Sequence, residues 1–466
     1  MRRTRREGPV VGLVGVGYMG IATGLGFAAR GRTVVAYDIR SRTRSALRRG
    51  RSPYAEDGLP ELLRRMVSRH RFQVVDSLEE LAQRAECIFL CVPTPPKRSG
   101  EVDLGPLRTA ARALGAALRG VRGYRLVVVK STVVPGTTDR LVEPLVRTTS
   151  GKDARSLGVA VNPEFLSEGR MVDDALHPAR IVVGAREPRA RRLLRAVYTG
   201  FPARIFELPP AGAELVKHAS NEFLALKVSY ANELSRWSER LGSDVDAVVA
   251  AVGADPRIGT AFLRAGPGFG GSCFDKDLRA FARRGAALGV DPRIPATVLA
   301  VNEDQTEHAL GLVRSTAGSL ARKEVAVLGL AFKVGTDDVR ESRAFPIVEG
   351  LIAGGARVRV HDPSALANFR TEWIRSGRRT RRIAFARSTR AALNGADLAV
   401  LQADWPEYRD WSDDWTRAMR RPVVVDLRRC LDVARADRSG LHVVALGRSS
   451  APAVAGRSRP RGGRGR

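Results

Sequence analysis

A glycine pattern near the start of the chain limits its fold more than any other feature. Gly15-x-Gly17-x-x-Gly20 follows the apolar run VVGLVG (10–15), and a second apolar run, TVVAYD (33–38), ends on Asp38. Strand, glycine turn, helix, strand and acid in that order describe a dinucleotide-binding βαβ unit. The glycines admit the backbone to a pyrophosphate, and the helix N-terminus meets its charge with free N–H groups and a positive dipole end. Asp38 is placed to accept hydrogen bonds from adenosine ribose hydroxyls and to repel a 2′-phosphate, which predicts NAD over NADP. Arg40, Arg42 and Arg44 close by pull the other way. The basic start MRRTRR ahead of an uncharged run (8–29) imitates an export signal, but seven glycines and a tyrosine interrupt that run. No other segment is long and apolar enough to span a bilayer.

Continuous Val/Ile/Leu runs recur at 73–75, 87–92, 125–131, 157–162 and 180–185, as expected of parallel strands covered on both faces. From about Gly212 the rhythm changes to apolar residues at three-and-four spacing, which predicts one long helix over AELVKHASNEFLALKVSYANELSRWSERLG. The α/β rhythm restarts at 324–332 and continues through 357–362, 382–386, 397–404, 423–427 and 442–447. The predicted fold is therefore two Rossmann-like, doubly wound parallel-sheet domains joined by a central helical domain. The boundaries fall at 1–211, 212–320 and 321–447, with an Arg/Gly-rich tail at 448–466. That tail and the first six residues lack the apolar content to offset ordering entropy and are expected to be disordered.

Four cysteines, Cys87, Cys91, Cys273 and Cys430, are too few and too scattered for a disulfide framework or a metal site, so a reducing, cytoplasmic setting is expected. The formal charge is +29, and of 78 basic residues only eight are lysine. Where lysine persists in so arginine-rich a chain, a compact amine is a candidate chemical requirement. The basic balance and RGG-like tail also suggest a second class of function, a nucleic-acid-binding protein on a Rossmann scaffold. The excess charge is spread through the body, however, and the short tail has no aromatic residues.

Cys273 stands in a glycine-rich loop, Gly266-Pro-Gly-Phe-Gly-Gly-Ser-Cys273-Phe-Asp275-Lys276-Asp277. Glycines around a thiol leave room for a substrate, and Lys276 with the loop N–H groups favours the thiolate. Asp277 is a candidate general base. Lys217 and Asn221, four apart on the long helix, share a face and present an amine beside an amide, a pair suited to stabilising an oxyanion.

These stretches, with CVPTP (91–95), STVVPGTT (131–138), NPEFLSEG (162–169), HPARIVVG (177–184), DPRIG (255–259), GLAFKVGTDDVRES (329–342) and VDLR (425–428), make the chain resemble the nucleotide-sugar 6-dehydrogenases, most closely those acting on UDP-glucose. The resemblance runs from about residue 8 to 447 and keeps the family's motif order. It implies a four-electron oxidation of the sugar's C6 alcohol to a carboxylate with NAD, by way of a thiohemiacetal and a thioester on Cys273. Lys217 and Asn221 match the oxyanion-stabilising pair, Asp277 and Thr132 the groups that hold water, and Glu164 the acid/base of the thioester step. Gly15, Gly17, Tyr18, Met19, Gly20, Asp38, Thr94, Thr132, Glu168, Lys276 and Arg340 match NAD contacts. Glu164, Phe165, Leu166, Lys217, Asn221, Phe262, Gly266, Gly270, Lys333 and Arg428 match nucleotide-sugar contacts, with Arg257 reaching in from a second subunit, so a homodimer or higher homo-oligomer is implied.

Some positions depart from the family pattern. Thr43 stands where a basic residue is usual, Asp275 replaces a frequent proline and Leu427 replaces a glycine beside Arg428. Two close acids, Asp275 and Asp277, are expected to raise each other's pKa. GDP-mannose and UDP-N-acetylhexosamine remain alternative substrates within the family. Single-step dehydrogenases of the 6-phosphogluconate type share the glycine loop but need neither Cys273 nor a second α/β half.

Overall fold

The computed structural model describes residues 8–54, 56–97 and 99–449, so the basic start and nearly all of the Arg/Gly-rich tail lie outside the described residues. The chain forms two compact units. One takes the residues up to Phe223 together with Cys273–Ala296, and the other takes Leu224–Ser272 and the residues from Thr297 on.

The first unit is built on an eight-stranded sheet in the order β3-β2-β1-β4-β5-β6-β7-β8. Its strands are β1 (Val11–Val14), β2 (Val34–Tyr37), β3 (Phe72–Val74), β4 (Cys87–Leu90), β5 (Arg125–Val129), β6 (Leu157–Val161), β7 (Ile181–Ala185) and β8 (Ile205–Leu208). Central strands are buried at every position because helices cover both faces, and each face carries its own apolar cluster. Val14 pairs with Tyr37 and with Leu90, Leu90 with Val129, and Val129 with Val161. The residues that follow these strands, Gly15, Asp38, Cys91, Lys130 and Asn162, are thereby brought to one edge of the sheet, where ligands of open α/β sheets bind.

Two features differ from the sequence reading. β7 runs antiparallel to β6, with Val161 opposite Gly184. The only helix between them, Met171–Leu176, is six residues long, too short to carry the chain back across the sheet, so β7 starts at the edge where β6 ends. β8 was not expected, because as an edge strand it exposes Phe206 and Glu207 and offers no continuous apolar run.

The long helix spans Pro210–Leu241, with Pro210 at its first position and Gly242 beyond its end at φ +72°. The second unit carries a six-stranded, wholly parallel sheet in the order β11-β10-β9-β12-β13-β14. Its strands are β9 (Glu324–Leu328), β10 (Arg357–His361), β11 (Ile383–Phe385), β12 (Leu398–Leu401), β13 (Val423–Asp426) and β14 (His442–Ala445), all within the expected runs. Leu427, one of the departures noted above, is fully buried in the apolar cluster of this sheet. No helix among the described residues is long and apolar enough to cross a membrane.

Candidate active site

At the end of β1, Gly15 adopts φ +92°, which only glycine takes readily. A Cβ on Gly20 would lie 2.2 Å from the Gly15 carbonyl oxygen, so turn and helix meet backbone to backbone. A Cβ on Gly17 would meet nothing within 4 Å. Gly17 caps the helix Tyr18–Ala29 without a side-chain hydrogen bond, and no acidic residue sits in its first turn, where Met19 and Gly20 lie. N–H groups at a positive helix end, beside open space, are the donor set a pyrophosphate requires. Asp38 braces this cradle: one carboxylate oxygen accepts from the Val16 N–H at 2.9 Å and the other from the Arg40 N–H at 2.9 Å. Arg40 and Arg44 both lie against this acid, Arg40 through its guanidinium and Arg44 by donating to the Asp38 carbonyl. The Tyr18 ring packs on Tyr54 at 4.3 Å. Thr94, buried after β4, donates to the Thr132 carbonyl at 2.9 Å, tying two strand-end loops together.

The reactive cluster forms where the loop after β6, the long helix and the helix Phe274–Ala286 meet within the first unit. Lys217 Nζ is 2.9 Å from Glu164, and both side chains are buried. Glu164 also accepts from the Leu166 N–H at 2.7 Å and from the Thr132 hydroxyl at 3.5 Å. Asn221 Nδ2 donates to Asp277 at 2.7 Å, and Lys276 pairs with the other oxygen of that carboxylate. Cys273 is exposed at the N-terminus of the Phe274–Ala286 helix, where the positive dipole end favours negative charge on sulfur. Burial opposes the Lys217 ammonium, but Glu164, Asp277 and Cys273 outweigh it and hold its pKa above the ordinary lysine value. Burial likewise opposes the Asp277 carboxylate, and Lys276, His218 and Lys217 overcome it, keeping Asp277 below the usual carboxylate range.

The fold refines the sequence reading here. Asp277 is not raised: Asp275 is clasped by Arg279 at 2.8 Å, one turn on, while the Lys276 and Lys217 ammoniums and the His218 ring face Asp277. Lys217 is also electrostatically coupled to Cys273, and Lys276 is engaged by Asp277. Lys217 and Asn221 share a helix face as expected, yet each has its own carboxylate. The sequence reading also passed over Glu214 and His218 on the same helix. Glu214 accepts from the Gly136 and Thr138 N–H groups and the Thr138 hydroxyl, and His218 bonds the Val133 carbonyl at 3.0 Å, so the two anchor the 131–138 loop that carries Thr132. Their spacing with Lys217 and Asn221 was the available signal. Glu168, the remaining predicted cofactor contact of this unit, is half-buried in the loop after β6.

The Phe165 ring lies under the Arg180 guanidinium at 4.0 Å and 5.7 Å from Lys217 Nζ, and the other predicted contacts belong to the second unit. The Gly266–Gly271 loop is held by buried amides: Asn232 receives the Gly266 N–H, Asn302 the Phe269 N–H, and Gln305 donates to the Gly266 carbonyl. A Cβ on Gly266 would press on the end of the Arg428 side chain at 3.0 Å, and one on Gly270 would lie 2.3 Å from the Glu341 carbonyl, so Gly270 has no room for a side chain. The Arg428 guanidinium donates to the Gln402 carbonyl at 2.7 Å, and burial lowers its pKa. Lys333 Nζ lies 5.5 Å from the Phe332 ring, Arg340 is clasped by Asp338, and exposed Arg257 by Asp255. Phe262 itself, Glu341 next to Arg340 and Arg429 next to Arg428 all take positive φ, the kind of stored strain that collects at ligand sites.

Three models of the UDP-glucose/GDP-mannose dehydrogenase family match the chain in order: the NAD-binding domain over residues 10–202, the central domain over 211–304 and the UDP-binding domain over 326–433. The UDP-glucose 6-dehydrogenase of Haloferax volcanii is 40% identical over 423 residues, which cover 90% of this chain and 96% of that protein. The structure of a UDP-glucose dehydrogenase from the archaeon Pyrobaculum islandicum superposes with a TM-score of 0.88 at 39% identity, over 96% of this chain and all of that one. A UDP-N-acetylmannosamine dehydrogenase from Pyrococcus horikoshii superposes with a TM-score of 0.81 at 26% identity, over 95% of this chain and 100% of that one.

Proposed function

The chain belongs to the UDP-glucose/GDP-mannose dehydrogenase family, as an oxidoreductase with that family's NAD-binding domain, and we propose that its reaction is the four-electron oxidation of UDP-glucose to UDP-glucuronate. The observation that carries the mechanism is a thiol at a helix N-terminus whose neighbouring ammonium and amide, Lys217 and Asn221, are each backed by a buried carboxylate. A dehydrogenase making one two-electron oxidation has no use for a thiol. An aldehyde, by contrast, releases no second hydride until a nucleophile adds to it.

The Gly15–Gly20 cradle, Asp38, Thr94 and Thr132, with Lys276, Glu168 and Arg340 as further contacts, would hold NAD, which would supply the hydride acceptor for each two-electron stage. The residues of the chain do the rest. Lys217 and Asn221 stabilise the C6 oxyanion, a pair of donors of which each is worth about 100-fold or more in rate. The Cys273 thiolate adds to the C6 aldehyde to form a C–S bond, and loss of the second hydride leaves a thioester. Asp277 and Thr132 hold the water, and Glu164 takes its proton as it attacks. The C–S bond then breaks, thiolate leaves, and the sugar departs as the carboxylate.

The nucleotide falls to the second-unit set, Phe262, Gly266, Gly270, Lys333 and Arg428, with Phe165 and Leu166 on the sugar. Functionally the chain divides at 211 and 320, in line with the three matched ranges. Arg257, exposed and paired with Asp255, would reach into the site of a second copy. Phe223, Tyr230, Trp237 and Leu241 lie within about 40° of one another on the long helix and are 49–73% exposed, an apolar stripe about 27 Å long that a second copy covers in a homodimer. The setting we infer is reducing and cytoplasmic, in keeping with the few, scattered cysteines of the sequence.

NADH yield with limiting UDP-glucose and excess NAD tests the reaction. Two NADH per sugar are expected. One NADH per sugar would refute the thioester route, and no NADH with UDP-glucose but two with GDP-mannose or a UDP-N-acetylhexosamine would reassign the substrate. Cys273→Ser is expected to abolish turnover to the acid.

A further inference from the structure

We propose that Lys130 is a positioning residue for Glu164, holding the strand-end turn that carries this carboxylate and setting the electrostatic field in which it works. The inference rests on the acid/base role proposed for Glu164 above. Lys130 follows β5 and is buried. Its Nζ donates to Asn162 Oδ1 at 2.8 Å and to the Pro163 carbonyl at 3.4 Å, the two residues immediately before Glu164. Asn162 in turn donates to the Val182 carbonyl at 2.7 Å and receives the Tyr198 hydroxyl at 2.5 Å. The turn is thus pinned from β5, from β7 and from the end of the helix Pro188–Val197. Only then is the Glu164 carboxylate presented to Thr132 and Lys217.

Retention of lysine here has a physical reason. A compact ammonium with three donors fits between two acceptors and the Tyr198 hydroxyl at 3.5 Å, where a planar guanidinium makes different bonds. A cavity of about 130 Å³ touches both Lys130 and Glu164, together with Phe165, Tyr198 and Phe201. It gives water and protons access to both side chains.

The titratable groups facing Lys130 are Cys91 after β4, Glu164 after β6, Tyr198 and, from the long helix, Lys217. Burial drives Lys130 down to about 8, with Lys217 adding to the shift and Cys91 and Glu164 opposing it. Burial pushes the Cys91 thiol up to about 12 and the Tyr198 phenol above its ordinary value, and Lys217 stays above the ordinary lysine value. Above pH 7, Lys130 is therefore the first cation of this group to lose its charge, and the field at Glu164 weakens as it does.

The test uses full-length Lys130→Met and Lys130→Arg with NAD and UDP-glucose, read by stopped-flow NADH absorbance, kcat against pH and thermal melting. Wild-type kcat is expected to fall as pH rises through about 8. Lys130→Met is expected to fold, because Tyr198 still satisfies Asn162, and to keep KM within about threefold. Its kcat is expected to drop at least tenfold behind a burst of two NADH per site, with the alkaline limb gone. Lys130→Arg, which keeps the charge but makes different bonds, is expected to retain more of kcat at pH 7 than Lys130→Met and to hold that activity above pH 9. Wild-type kcat and pH profile in Lys130→Met would overturn the proposal, as would equal losses in melting temperature and KM with the limb intact. Should Lys130→Met not fold, a limb still near pH 8 in Lys130→Arg overturns it alone. Glu164→Gln separates the two readings. If it hydrolyses the thioester at the wild-type rate, the acid/base reading falls and this inference with it. If it slows while Lys130→Met does not, only this inference falls.

Discussion

Gly17 and Gly20 stand three residues apart in one turn, yet alanine should affect them in opposite ways. Gly17 sits at φ −72° and ψ −174°, a conformation open to any residue, and its added Cβ would meet nothing within 4 Å. Gly17→Ala should therefore melt within about 2 °C of wild type, the lost chain entropy of glycine and a slightly poorer helix cap nearly cancelling. The space its methyl fills is the space a bound pyrophosphate needs. Overpacking of this kind costs about 1–3 kcal/mol, so NAD should bind about 5- to 150-fold more weakly. Gly20→Ala puts its methyl 2.2 Å from the Gly15 carbonyl oxygen, which is backbone and cannot rotate away. The helix must withdraw by about 1 Å, and both the melting temperature and NAD affinity should fall. Differential scanning fluorimetry of the unliganded protein and calorimetric titration with NAD read the two effects separately. Wild-type NAD affinity in Gly17→Ala, or a loss of stability matching that of Gly20→Ala, would refute the assignment of this open space to the cofactor.

Three further outcomes follow from the same geometry. Asp38→Asn keeps an acceptor for the Val16 N–H but removes the charge that holds Arg40, so kcat/KM with NADP should rise at least tenfold relative to that with NAD; an unchanged ratio would refute the argument. His218 is buried, and burial lowers its pKa below the usual value near 6.5. The unfolded chain therefore takes up a proton first, and stability should fall as pH drops below about 6.5, by at most about 1.4 kcal/mol per unit. His218→Gln should flatten that part of the melting curve against pH, and a curve identical to wild type would count against it. Trp237→Glu places a charge in the exposed stripe of the long helix and should convert a dimer to a monomer in light scattering, whereas a persistent dimer would place the interface elsewhere.

Element type was legible wherever a strand is covered on both faces, because burial leaves an uninterrupted apolar run such as CIFL or LVVV. Direction and edges were not. The run at Ile181–Ala185 reads the same in either direction, and only the shortness of Met171–Leu176 turns β7 antiparallel. At β8 one face meets solvent, so Glu207 and an exposed Phe206 erase the pattern. The cofactor cradle was the most legible part of the site, because its conformation demands glycine itself at Gly15 and Gly20.

The reactive cluster was legible as residues but not as pairs, and the reason lies in what burial does to charge. Glu214, Lys217, His218 and Asn221 stand at helical spacing on one face of the long helix, and all four are buried. An isolated charge in that position costs several kcal/mol, and a lone amide or imidazole up to about 3, so the stripe alone requires partners elsewhere in the chain. Their identity is set by topology. Glu164 lies 53 residues before Lys217, and Asp277 follows Asn221 by 56, on elements whose meeting no local pattern encodes. Had Lys217 and Asn221 faced each other without those carboxylates, burial would weaken the ammonium's hold on its proton. With Glu164 and Asp277 in place it keeps the proton, and a permanent positive charge stands beside Cys273, where both oxyanion and thiolate must be held. The chemistry read from Cys273 and Lys217 therefore depends on two acids whose pairing with Lys217 and Asn221 only the fold reveals.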